Sequence, residues 1–380
     1  MESRGKNVNK TNQVYFENLD ALRFFSFLSV FFYHSFYTDV LDVRNSKVYS
    51  LIKYYVLGNA SIGVNFFFVL SGFLITYLLL LEKDSTGKIN LSNFYVKRIL
   101  RIWPLYYLCV LIGFIFVPYV KNLIGSPEVQ DANLVSYIFF YNNLLIPINE
   151  KLVNSSVLSI LWSIAVEEQF YLIWPIIIAF IPLKKLPSVF LTIIFLTLVF
   201  RAIYSDYWNR EFHTFSCIGD MTIGGLGAYL ITFNKRFKEY IIHLKKELII
   251  IIYILFIFIY LFRYIFYKIP VIDIFERGIV ACVFLFIILE QNYSINSLFK
   301  FGKLKRISKL GVITYGLYCF HQIALIITTQ ISLKLKLNDS LFDIFVIQSF
   351  IGLTLCLLFS ILSYKFFEQP ILRYKRYFNF

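Results

Sequence analysis

GVNFFFVLSGFLITYLLLL, residues 63 to 81, runs for 19 residues without an acidic or basic side chain. A helix rising about 1.5 Å per residue covers roughly 28 Å over that length, close to the hydrocarbon thickness of a bilayer. Nine further apolar stretches of comparable length lie on either side of it. The predicted spans are approximately 19–37, 55–81, 99–120, 158–181, 188–205, 216–233, 247–267, 274–290, 310–330 and 342–366. Together they predict an all-α polytopic membrane protein, a bundle of about ten transmembrane helices. The stretch 216–233 is the least apolar of the ten, with Asp220 and glycines at 219, 224, 225 and 227.

Composition points the same way. Of 380 residues, 58% are hydrophobic, 20% aromatic and only 16% charged, with a mean hydropathy of +0.68. These values exclude a disordered chain, a coiled coil, a collagen-like repeat and a disulfide-stapled module. The five cysteines are dispersed through apolar stretches, with neither disulfide nor zinc spacing, and no metal is expected. A net charge of +14 in a soluble protein would point to nucleic acid. Here the basic residues collect in short connections, and no nucleic-acid partner is expected. With the N-terminus inside, the inner connections hold 24 of the 37 Lys and Arg residues, which predicts an N-in/C-in topology. The expected organisation is a cytoplasmic segment 1–18 with no signal peptide, a transmembrane domain 19–367, and a basic cytoplasmic tail 368–380. The longest connection, 121–157, contains Pro127, Asn142, Asn143, Pro147 and Asn154, and reads equally as part of an acceptor site or as a solvated loop.

Ionisable groups within a bilayer are costly and mark functional sites by default. In the first span Arg23 and His34 stand eleven residues apart, so they share a face about 16 Å apart. His34 is a candidate general base, since imidazole accepts and returns protons near neutral pH. A histidine hydrogen-bonded for packing fits the spacing equally. In WSIAVEEQFYLIWP, residues 162–175, Glu167 shares a face with Ser163 and Tyr171, whereas Glu168 points about 100° away, toward solvent or a neighbouring helix. In FYVKRILRIWPLYY, residues 94–107, Arg98 and Arg101 share a face at the inner end of the third span and suit a phosphate-bearing ligand. Asn65 and Ser71 in the second span, Ser163 in the fourth, and Tyr318 and His321 in the ninth are candidate supporting polar residues.

In order along the chain, LDALRFFSFLSVFFYH, GVNFFFVLSGFLIT, KRILRIWPLYY, WSIAVEEQFYLIWP, TYGLYCFH and YKFFEQPILRYKRYF resemble the motifs of acyltransferase family 3, integral membrane proteins that acylate surface glycans. The resemblance runs from about Leu19 to Tyr374. It implies a membrane O-acyltransferase that takes an acyl group, commonly acetyl, from cytoplasmic acetyl-CoA to a hydroxyl of an acceptor on the far side. It further implies that His34 is essential, with Arg23 in the paired arginine position and Glu167 in the acidic one. Arg98 and Arg101 match the pair implicated in holding the acyl donor. Asn65 departs from the aspartate found in many members, so a charge at that position is not expected here. The implied partners are acyl-CoA, membrane lipid, and a surface glycan or lipid-linked saccharide. The implied location is the bacterial cytoplasmic membrane, and no hydrolase-like domain is expected after the last span. Direct transfer and an acyl-His34 intermediate are both compatible with the residues. A glycolipid or polysaccharide transporter or flippase is the rival reading, for which Pro104 and the glycines of 216–233 are the hints.

Overall fold

The computed structural model describes residues 16–123, 130–266 and 268–378, and all regular structure among them is helical. Ten long helices form, one over each apolar stretch. They are α1 (Glu17–His34), α2 (Ile62–Thr86), α3 (Leu91–Leu111), α4 (Trp162–Phe180), α5 (Leu186–Ile203), α6 (Thr214–Phe233), α7 (Lys246–Phe266), α8 (Pro270–Tyr293), α9 (Thr314–Leu335) and α10 (Gln348–Ser363). Among the described residues, seven helical runs are long and apolar enough to cross a membrane, and these contain α2 to α5, α7, α9 and α10. The other three are more polar: α1 holds Asp20 and Arg23, α6 holds Asp220, and α8 holds Asp273, Glu276, Arg277 and Glu290.

Local chemistry sets the boundaries. The first helix stops at His34 rather than residue 37, because Ser35 is extended and Phe36 takes a left-handed conformation with φ of 72°. The Lys53 ammonium secures that end by donating to the carbonyls of Tyr33, at 3.1 Å, and Ser35. α3 begins at Leu91 rather than 99, since the Asn90 side chain accepts from the Asn93 amide and caps the polar turn. Arg98 and Arg101 are consequently well inside a helix rather than at its first residues.

α2 runs through the middle of the bundle, packed against α1, α4, α6 and α8. Its closest approach is to α6. A Cβ added at Gly72 would meet the Met221 carbonyl oxygen at 1.9 Å, and one at Gly224 would meet the Val69 carbonyl oxygen at 2.1 Å. The two backbones touch, so the glycines that weaken the apolar signal of α6 are what the packing requires. At the same contact Trp174 donates to the Thr76 hydroxyl at 2.8 Å and stacks on Phe190.

Both described ends of the chain lie at one end of the bundle, called here the basic end. There the Phe16 ring meets Tyr77 and Tyr293, and the short helix Tyr374–Phe378 packs on α3. At the opposite end, residues 130–161 fold into short helices, Leu134–Ile138, Asn142–Asn149 and Ser156–Ser159, rather than a solvated loop. Buried Asn143 donates to the Thr214 hydroxyl at 2.9 Å and accepts from Gln169 at 2.8 Å, which fastens this cap to α4 and α6. Pro127 lies outside the described residues.

Candidate active site

A cavity of about 300 Å³ opens between α1, α2, α3, α4 and α9 at the basic end. α2 contributes a stripe at helical spacing, Phe67, Ser71, Leu74 and Leu78. α1 contributes Asp20 and Arg23, which form an ion pair one turn apart. Arg98 and Arg101 enter from α3, Ser163, Glu167 and Tyr171 from α4, and Tyr315 and Tyr318 from α9. Five sequence-distant helices thus converge on one volume, and seven of the ten candidate residues line it: Arg23, Arg98, Arg101, Ser71, Ser163, Glu167 and Tyr318.

Their hydrogen bonds form two groups. In the first, the Tyr171 hydroxyl donates to Glu167 at 2.6 Å while Ser71 lies 2.5 Å from the same hydroxyl. The Tyr171 proton goes to the carboxylate, so Ser71 donates to Tyr171. The Arg98 guanidinium carbon stands 5.4 Å from the centre of the Tyr171 ring and 5.6 Å from that of Phe94, a cation–π arrangement. In the second, the Tyr318 and Ser163 hydroxyls lie 2.6 Å apart, and Tyr318 reaches the Ile160 carbonyl at 3.1 Å. Glu168 takes no part in the cavity. It accepts from the Trp103 indole of α3 at 2.8 Å, the neighbouring-helix contact rather than the solvent that its 100° offset equally allowed.

Phe67 and Tyr318 line the cavity with their ring centres 6.4 Å apart, and His34 does not line it. The His34 ring centre is 5.2 Å from that of His321, whose own centre is 5.6 Å from that of Tyr318. An aromatic path, Tyr318 to His321 to His34, therefore leads away from the cavity. His321 is fully buried, with Nδ1 2.6 Å from the Tyr318 carbonyl oxygen. A carbonyl only accepts, so Nδ1 carries the proton, and in the neutral ring Nε2 is a bare lone pair. That Nε2 is buried and has no hydrogen-bond partner.

Asn65 also lies apart from the cavity. It faces α6 and donates to Asp220 at 3.1 Å, while Arg277 of α8 donates to the same oxygen at 2.9 Å. This pair belongs to a second buried polar network, at the His34 end, in which Arg263 pairs with Glu276 at 2.8 Å and Arg210 with Asp273. Arg201 joins it by donating to the Asp273 carbonyl oxygen at 2.7 Å and to Ser216 at 2.7 Å. The sequence reading singled out Asp220 and missed most of the rest. It also missed Asp20, although the spacing in LDALR places that carboxylate one turn before Arg23. Among the described residues, no group of three or more His, Cys, Asp or Glu side chains is placed to hold a metal ion.

With this geometry in place, comparison with known proteins identifies the domain. Residues 16–365 match the acyltransferase domain that defines acyltransferase family 3. The chain belongs to acyltransferase family 3. Among relatives, it is 23% identical over 96% of its length to the peptidoglycan O-acetyltransferase OatA of Listeria monocytogenes. It is 26% identical over 94% of its length to the O-acetyltransferase OatA of Staphylococcus aureus. This family 3 chain spans 57% of each of these relatives. No solved structure matches it.

Proposed function

We propose that this protein is a membrane-bound O-acyltransferase that moves an acyl group, acetyl by preference, from acyl-CoA to a hydroxyl of a cell-envelope carbohydrate. The observation that carries the reading is the line from the basic mouth at Arg98 and Arg101, through the cavity, to Tyr318, His321 and His34. Such a line connects a place that suits phosphates with a place that suits proton transfer. Family membership and the names of the two relatives support the same chemistry. In the full reading about ten helices span a bacterial cytoplasmic membrane with both ends inside. The donor enters from the cytoplasm and the glycan meets His34 at the outer end.

The Arg98 and Arg101 guanidinium groups hold the donor's phosphates, and the narrow volume behind them takes its thin acyl-bearing arm. His34 accepts the proton of the acceptor hydroxyl as the oxygen attacks the thioester carbonyl. The C–S bond then breaks, and the proton passes to the departing thiolate, leaving an ester and free CoA. The bare Nε2 of His321, its ring centre 5.2 Å from that of His34, would accept an N–H from His34 once the base turns toward it during the reaction, fixing the tautomer of the base and steadying the imidazolium when it forms. Tyr171 and Ser71 hold Glu167 in place beside the donor, and Asp20 does the same for Arg23.

Acetyl-CoA consumption by membranes supplied with cell-envelope glycan tests the reading. The wild-type protein should release CoA in step with glycan acetylation. His34→Ala, at equal membrane abundance, should lower that rate by roughly 10²-fold or more, the range for loss of a general base. His321→Phe should leave KM for the donor near its wild-type value, reduce kcat, and shift the pH profile of kcat. Glycan movement across the membrane without CoA release would instead support the transporter.

A further inference from the structure

Four cations meet at the basic end, and the sequence reading assigned a donor role to only two of them. Lys97, Arg98 and Arg101 stand on α3. Beyond α10 the chain continues through Tyr364–Glu368 and Gln369–Arg373 into Tyr374–Phe378, which folds back against α3. That return places half-buried Lys375 in the field of all three α3 cations. Burial, then Arg101, Arg98 and Lys97, pull its ammonium down to about 7. Among the described residues no carboxylate forms an ion pair with any of the four; of the two acids lining the cavity, Asp20 is engaged with Arg23 and Glu167 with the Tyr171 hydroxyl, and no carboxylate acts on Lys375. Glu167 and Glu168 offset charge on the arginine side, but Lys375 is left among like charges, which costs stability unless an anion joins it.

The arrangement also orders the cations by depth. Arg98 and Arg101 line the cavity, whereas Lys97, one residue before Arg98 on α3, and Lys375, on the segment packed against α3, stand outside its lining. A nucleotide thioester whose arm fills the cavity leaves its bridging phosphates near the two arginines. Its terminal ribose phosphate, the group farthest from the thioester, then falls outside the lining. We propose that Lys375, carried there by the folded-back segment after α10, is a donor-specificity residue that binds the ribose 3′-phosphate of the acyl-CoA. This inference rests on the acyl-CoA reading above.

Two donors separate the cases, acetyl-CoA and acetyl-dephospho-CoA, which lacks only the 3′-phosphate. Wild-type protein should show a lower KM for acetyl-CoA. Lys375→Gln should raise KM for acetyl-CoA by roughly tenfold, as expected for one charge-assisted contact, and leave KM for acetyl-dephospho-CoA close to that of the wild type. Lys375→Arg, which keeps a cation at that position, should retain the preference. An equal rise for both donors, or no rise for either, overturns the inference while leaving the acyl-CoA reading intact. If wild-type protein consumes neither donor, both fall. The comparison of two donors on one variant separates this contact from simple misfolding, which cannot distinguish them.

Discussion

Asn65 and Asp220 show how one side chain is matched to its neighbours. Asp220 is buried and already balanced by Arg277, so an amide at 65 adds a hydrogen bond without adding charge. An aspartate at 65 would set a second carboxylate against the first in a low-dielectric interior. Asn65→Asp is therefore expected to destabilise the protein by about 1–3 kcal/mol, the penalty for an unsatisfied buried group. Asp220→Asn in the same chain should recover much of that loss. Thermal unfolding in detergent measures both, and an unchanged midpoint in the single variant would contradict the assignment. The sequence grouped Asn65 with Ser71 because both are polar in one apolar helix. Six residues at 100° each set them about 240° apart, so Ser71 faces the cavity and Asn65 faces α6. Glu167 and Tyr171 were legible because they are four apart on one helix, whereas Ser71, their third partner, comes from α2 and no local spacing announces it.

The glycines of α2 and α6 act at the scale of the element. Gly72 and Gly224 sit where the two backbones touch, so any Cβ there must force the helices apart. Gly278 of α8 has nothing within 4 Å of the position a Cβ would take. Gly72→Ala is expected to lose 1–3 kcal/mol or about that much, the usual scale of overpacking. Gly278→Ala should gain roughly 0.5–1 kcal/mol from reduced backbone freedom. Unfolding midpoints that fall for the first and rise for the second would confirm the close crossing, and equal shifts would contradict it. The helices were legible from apolar runs, but their ends were not. α1 stops at His34 because Lys53, nineteen residues later, ties up its last carbonyls, and a hydropathy profile carries no trace of that contact.

Across the whole molecule, the account assigns opposite tasks to opposite ends. In the proposed reaction donor phosphates meet the basic end and the acceptor meets the His34 end, with the cavity and the aromatic path between them. Acetyl-CoA supplied outside inverted membrane vesicles should therefore be consumed, while the same donor outside right-side-out vesicles should not. Equal consumption in both orientations would contradict the N-in/C-in arrangement. The expectation of that arrangement comes from the bias of the basic residues along the sequence. The sequence did not show that His34 stands outside the cavity lining, because Phe67 and Tyr318, whose rings meet there, come from two helices far apart in the chain. The most direct test of acyl transfer through His34 is mass spectrometry of cell-envelope glycans. Cells lacking the gene, cells expressing the wild-type protein, and cells expressing His34→Ala at matched membrane abundance are compared. The account predicts a glycan acetyl group present only with the wild-type protein. A glycan fully acetylated by the His34→Ala variant would contradict it.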